Sequence, residues 1–170
     1  MSTGDKVIIA QFFLSDRGII NDIRKAAKRG GEFQIILNNS TKGLPNKAAA
    51  GELMKYARKH NYKIDVKFYN KGEEMYHVKL LSILKKDHLI TYAGSTNFTR
   101  RNMRNYNLEN EIKIISDYDQ DISKNILEYY DRLWNNKDGN FTLPYDEHKN
   151  EKVLNDLLFR FIEINGFGIF

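Results

Sequence analysis

A chain of 170 residues, 41% hydrophobic and 29% charged, has the length and composition of one soluble domain with its own core, and nothing in its length asks for a second. The absence of cysteine excludes a disulfide framework, a thiolate metal site and cysteine catalysis. A formal charge of +5 and a pI near 9.2 suit an anionic partner such as nucleic acid, anionic lipid or a phosphorylated small molecule, although many basic domains of this size bind nothing acidic. No apolar run reaches the roughly 18–20 residues that span a bilayer, and "MSTGDKVIIAQFFLSD" lacks the layout of a secretion signal. The chain as given is expected to be soluble, its localisation otherwise open, with any membrane association supplied by a longer parent protein.

"KVIIAQFFL" is short, apolar and rich in β-branched and aromatic residues, which predicts a central strand over Val7 to Phe13. Ser15 or Asp16 can cap a helix through "IINDIRKAAK", with Ile19, Ile20, Ile23 and Ala26 or Ala27 inward and Gly30-Gly31 as its stop. "EFQIILN" is a second strand, and the β-helix-β unit implies a parallel pair joined by a right-handed crossover. The turn-rich "STKGLPN" leads to a second helix, "KAAAGELMKYARKH", with Leu53, Met54 and Ala57 inward. "KIDVKFY" is a third strand, alternating Ile64, Val66 and Phe68 on one side.

A hairpin follows: a strand from about Tyr76 to Leu84, a polar turn at Lys85-Lys86-Asp87, and a return strand from Leu89 to Ala93. "NEIKII" is a further strand, and "DISKNILEYYDRLWNN" an amphipathic helix with Ile126, Leu127, Tyr130 and Leu133-Trp134 on its apolar side. After the "KDGNFTLPYDEHKN" loop, "EKVLNDLLFRFIEI" has helical spacing up to Asn165-Gly166. The predicted class is α/β: a three-layer α-β-α unit with a mixed, largely parallel central sheet. Residues 1–170 form a single domain whose segment 138–170 is an extension carrying an amphipathic helix.

His77 and Lys79, two apart on a predicted strand, leave the same face. A neutral imidazole beside a fixed cation suits phosphate chemistry, because the lysine draws in nonbridging oxygens while the histidine attacks phosphorus or moves a proton. Gly94-Ser95-Thr96-Asn97 ends the partner strand, where glycine permits close backbone approach and Ser95 and Asn97 add neutral donors. Glu109 stands at the entrance to the next strand, where a carboxylate accepting the imidazole Nδ1 proton would fix the tautomer. Singly, Gly94 reads as a turn residue, Asn97 as a helix cap and Glu109 as a solvated charge; their order together points to a site.

"HVK...GSTNFT...NLENEI" resembles the phospholipase D superfamily, whose motif runs His-x-Lys, four residues, Asp, six residues, Gly-Ser-x-Asn, commonly called HKD. The resemblance reaches back through "KVIIAQFFLSDRGIINDIRKAAKRGGEFQIILN" and forward to "ILEYYDRLWNN", covering about residues 5–137. It implies that His77 is the nucleophile or general acid, that Lys79 and Asn97 hold phosphate oxygens, that Ser95 lines the pocket and that Glu109 orients His77. One departure stands out: four residues after Lys79 the chain has Leu84, whereas Asp87 keeps six residues before Gly94, so the turn is lengthened by three and Asp87 is the candidate motif aspartate.

The family's chemistry uses a phosphohistidine and a second histidine from another copy of the motif. This chain has one copy; His60, His88 and His148 lack the spacing and are expected to be exposed. The second half would come from a twofold homodimer or from a missing amino-terminal half, the tail being similar to the closing segment of two-motif phospholipase or cardiolipin synthase-like enzymes. The resemblance implies a metal-independent reaction without cofactor: phosphodiester hydrolysis or phosphatidyl transfer on phospholipid. The alternatives are a homodimeric endonuclease, with Arg100, Arg101 and Arg104 on flanking phosphates, and a noncatalytic half-domain that dimerises or binds anionic surfaces.

Overall fold

The computed structural model describes residues 4–39, 44–70, 75–104 and 106–148. The expected carboxy-terminal helix at "EKVLNDLLFRFIEI" lies outside the described residues. The strands are β1 (Lys6–Gln11), β2 (Glu32–Leu37), β3 (Ile64–Tyr69), β4 (Lys79–Leu84), β5 (His88–Gly94), β6 (Glu111–Asp117) and β7 (Thr142–Pro144). The helices are α1 (Arg17–Lys28), α2 (Leu44–His60), the short α3 (Arg100–Met103) and α4 (Asp121–Trp134), and a 3-10 turn spans Tyr145–His148. One seven-stranded sheet has the order β6-β5-β4-β1-β2-β3-β7.

The sheet is mixed, as expected, but its parallel part is confined to β1-β2-β3; the pairings of β1 with β4, β4 with β5, β5 with β6 and β3 with β7 are antiparallel. Hairpins need only short turns, whereas parallel neighbours need a crossover helix. The parallel balance therefore ends where the helices between strands end.

Alternation along β1 divides the core between the two faces. Val7 and Ile9 pack with Ile20, Ile23 and Ala27 of α1 and Leu53, Met54 and Ala57 of α2. Ile8 and Ala10 pack on the other face with Tyr130, Leu133 and Trp134 of α4, which completes the three layers. Asp16, not Ser15, caps α1, its Oδ1 accepting the Ile19 N–H at 2.9 Å. Gly30, at φ +90°, makes the turn after α1 that a residue with a Cβ resists.

The loop after β1 is set by one buried side chain. Asn46 donates Nδ2 to the carbonyls of Phe12 and Asn38, at 2.7 and 2.9 Å, and accepts the Leu14 N–H at 2.8 Å on Oδ1. The helix predicted from Lys47 starts early enough to include Asn46, because this bonding fastens its first turn to the ends of β1 and β2. The strand β7 falls where the sequence reads as a loop; Asn136 organises the segment by accepting the Phe141 and Thr142 N–H groups, and Thr142 then pairs with Tyr69 of β3. The expected extension at 138–170 thus begins by joining the sheet.

Removing the Asn46 amide leaves several buried backbone groups without partners. Asn46→Ala is expected to lower unfolding stability by about 2–4 kcal/mol in urea titrations, whereas Leu108→Ala, at a fully exposed position, should change it by less than about 0.5 kcal/mol.

Candidate active site

The site lies where β1 ends and β4 begins. Gln11 pairs with Lys79 across these antiparallel strands, so their side chains leave one face, the face that carries Leu81 and Ile83 against α1 and α2. Strand β4 begins at Lys79 rather than near Tyr76, which leaves His77 in an extended lead-in with an exposed ring. The two residues meet nonetheless, because the Lys79 side chain turns back: its Nζ lies 3.0 and 2.9 Å from the two ring nitrogens of His77 and donates to the His77 carbonyl at 3.1 Å.

Phe12 holds the pair from the other side. Its ring sits 4.5 Å from the His77 ring and 5.1 Å from the Lys79 ammonium, centroid distances that fit an aromatic contact and a cation–π contact. Lys79 is 8% exposed. Desolvation pulls its pKa below the ordinary lysine value, with the Glu109 charge opposing the shift. Desolvation, and then the Lys79 charge, holds His77 below the ordinary histidine value of 6.5. The imidazole is therefore neutral at pH 7, the form that can attack or accept a proton.

Gly94 ends β5, paired with Glu111 of β6; it follows Ala93, the last residue paired with β4, so the register sets it opposite Lys79. A Cβ at Gly94 would lie 2.0 Å from the Asn110 carbonyl oxygen, so the missing side chain makes room for the neighbouring backbone of β6 rather than for a ligand. Ser95 is engaged in the same way: its hydroxyl donates to Glu109 Oε2 and accepts the Asn110 N–H at 3.0 Å, while its own N–H donates to the Asn110 carbonyl at 3.0 Å. Glu109 also accepts from the Asn102 amide, so its hydrogen bonds go to Ser95 and Asn102, and its influence at the histidine-lysine pair is through charge on Lys79.

Beyond Asn97 the chain is fastened to the start of α1. The Phe98 N–H donates to the Phe13 carbonyl at 2.9 Å, and the Phe98 carbonyl accepts the N–H groups of Ser15 and Asp16 at 2.8 and 2.9 Å. Residues 94–97 are thereby held at both ends. Among the described residues, Asn97 Oδ1, Thr96 Oγ1 and Gln11 Oε1 are buried without a hydrogen-bond partner. Such groups are costly to bury; two of these three belong to the Gly-Ser-Thr-Asn loop and the third, Gln11, ends β1 beside it.

The structure does not bring Asp87 to this cluster. It lies at the hairpin tip, separated from Gly94 by the length of β5, about 20 Å, and its carboxylate bonds His88 Nδ1 at 2.7 Å. That bond is the main cause holding the Asp87 carboxyl below the ordinary carboxylate range. His88 is half-buried at the start of β5, not exposed as expected, because this contact and the strand cover it. His60 is exposed and stacks on Tyr62; the side chain of His148 lies outside the described residues.

Arg100, Arg101 and Arg104 are exposed on and just after α3, and Arg104 reaches across the first turn of α1 to within 3.8 Å of where a Gly18 Cβ would stand. Met75, two residues before His77, and Met103, Tyr106 and Leu108, in the segment between Asn97 and Glu109, are exposed apolar side chains. Among the described residues, no group of three or more histidine, aspartate or glutamate side chains has the arrangement of a metal site. Gln11 and Phe12 were not legible as site residues, since "AQFF" in sequence is strand interior; the one available signal is a glutamine inside an otherwise apolar run.

A mixed sheet with flanking helices and a histidine-lysine pair opposite Gly94 is the arrangement of a phospholipase D-like domain. The family described as cardiolipin synthase, PLD-like domain, matches residues 1–134, and the chain belongs to it. The fold is similar to that of the phospholipase D family member Nuc from Salmonella typhimurium, at TM-score 0.62 and 20% identity over 79% of this chain and 80% of that one. It is similar to phosphatidylserine synthase from Haemophilus influenzae, at TM-score 0.59 and 16% identity over 95% of this chain and 40% of that one. NucT from Helicobacter pylori also matches, at TM-score 0.51 and 23% identity over 75% of this chain and 77% of that one. A search of curated proteins finds no match.

The Lys79 charge depresses the His77 pKa, so removing it should raise that pKa. In Lys79→Met, the His77 imidazole followed by NMR should titrate at higher pH than in the unaltered protein, where its midpoint should lie below 6.5; an unchanged midpoint would show that the two groups are not in contact.

Proposed function

We propose that the protein cleaves or transfers phosphodiesters through His77, with phospholipid as the substrate class. The contact that carries this reading is the neutral His77 ring against the nearly buried Lys79 ammonium. A cation desolvated beside a nucleophile, and among the described residues not paired with a carboxylate, is stabilised when a phosphate arrives, and it offsets the charge that develops on the nonbridging oxygens.

In the first step a His77 ring nitrogen forms a bond to phosphorus while the bond from phosphorus to the leaving oxygen breaks, and a second histidine gives that oxygen its proton. In the second step water or an alcohol attacks the phosphohistidine, the second histidine takes the attacker's proton, and the bond between His77 and phosphorus breaks. Lys79 and Asn97 hold nonbridging oxygens through both steps, Ser95 supports the pocket wall, and Glu109 provides the counter-charge. The ion pairing that a divalent metal would provide is taken by Lys79 and its counterpart.

The second histidine comes from another copy of the motif, supplied by a twofold partner or by a preceding half in a longer protein. The exposed Met75, Met103, Tyr106 and Leu108 support this reading, since apolar side chains around a phosphate pocket suit either a covering half or the acyl region of a lipid. Nucleic acid is the second reading, favoured by the exposed Arg101 and Arg104.

His77→Asn should lose at least about 10³-fold in phosphodiesterase activity while retaining its fold by circular dichroism; an active variant excludes the covalent mechanism. Headgroup release from phosphatidylglycerol or cardiolipin vesicles, measured against cleavage of single-stranded DNA with chelator present, distinguishes the substrates, and the proposal expects the lipid. Activity that sediments with a strict monomer would contradict a shared site.

A further inference from the structure

We propose that Gln11 is a positioning residue of the phosphate pocket, its amide nitrogen securing the loop at Thr96 and its carbonyl oxygen receiving the Lys79 ammonium when a bound anion draws that ammonium away from His77. The inference rests on the proposed role of Lys79 as a phosphate ligand.

Gln11 is 2% exposed at the end of the central strand, a place where an apolar side chain would be the ordinary occupant. Its Nε2 donates to the Thr96 carbonyl in a long contact of 3.5 Å, the sense of the amide that keeps two oxygens from facing each other. Oε1 therefore faces away from the loop, buried and, among the described residues, without a partner. It is closed off from the surface in this arrangement, and a donor on a neighbouring strand can satisfy it.

Register places one such donor beside it. Gln11 and Lys79 are directly paired across β1 and β4 and share a face. In the present arrangement Nζ is turned to His77 and to the Phe12 ring. Nζ is almost equally distant from both ring nitrogens, so it sits over the ring and not along the in-plane lone pair of either, which leaves the attacking nitrogen open. A phosphate bound beside His77 competes with the ring for that ammonium and draws it away. An amide oxygen on the neighbouring strand gives the displaced ammonium a second hydrogen bond while its remaining protons meet the anion. The charged and titratable groups acting on Lys79 are then His77 and Glu109, with Gln11 the neutral acceptor from β1.

Tungstate binding followed by calorimetry across pH tests this. The alkaline limb of binding reports loss of the Lys79 proton. In Gln11→Met, which keeps the volume but neither amide function, affinity at neutral pH should fall about tenfold and the alkaline limb should move to lower pH, because the charged form loses an acceptor. In Gln11→Glu the limb should move to higher pH, because a carboxylate favours the ammonium; this variant decides the matter if Gln11→Met fails to fold. An alkaline limb that stays in place in folded variants, even with weaker binding, assigns Gln11 to loop packing and overturns the inference. If the unaltered protein binds no tungstate, the phosphate-site reading falls and this inference with it; normal binding with an unmoved limb sinks this inference alone.

Discussion

The site turns on one cation kept almost out of water. Among the described residues Lys79 bonds His77 and stands in no ion pair, and the charge of Glu109 acts on it while Glu109 itself bonds Ser95 and Asn102. Burying an ammonium without a bonded counter-ion is unfavourable. On the proposed reading this makes the pocket receptive to an anion, and the Lys79 charge adds to desolvation in holding the His77 pKa down.

The end of β1 organises that placement. Gln11 pairs with Lys79, Phe12 lies against the His77 ring, the Phe13 carbonyl accepts from Phe98, and Ser15 and Asp16 bond the Phe98 carbonyl. Asn46 fixes the same stretch from below through the Phe12 carbonyl and the Leu14 N–H. The histidine-lysine segment and the Gly-Ser-Thr-Asn loop, separated in the chain by a hairpin, are thus indexed to one short length of backbone. The lengthened hairpin turn does not disturb this, since it adds residues at the end of β4 and β5 remote from Lys79 and Gly94.

Much of this was legible in the sequence because it depends on local pattern. The apolar run of β1, the spacing of Ile20, Ile23 and Ala27, and the alternation of Ile64, Val66 and Phe68 each state a period that the packing obeys. The pairing of His77 with Lys79 was also legible, although the reason differed: a side chain folding back, not two residues on a strand. What could not be read depends on long-range contacts. Gly94 looks like freedom near a ligand, yet its space is taken by the Asn110 carbonyl. Glu109 looks like a partner for His77, yet Ser95 and Asn102 hold it. β7 is invisible as a three-residue segment with a proline, and only Asn136 and the free edge of β3 make it a strand.

The central proposal is that a His77 ring nitrogen is the nucleophile that bonds phosphorus. Its most direct test is mass spectrometry of protein quenched with base during turnover of bis(p-nitrophenyl) phosphate, base being chosen because a phosphorus–nitrogen bond to histidine survives it better than acid. The account predicts a p-nitrophenyl phosphoryl adduct on the peptide that contains His77. Turnover with no adduct there, or with the adduct on another side chain, would contradict it.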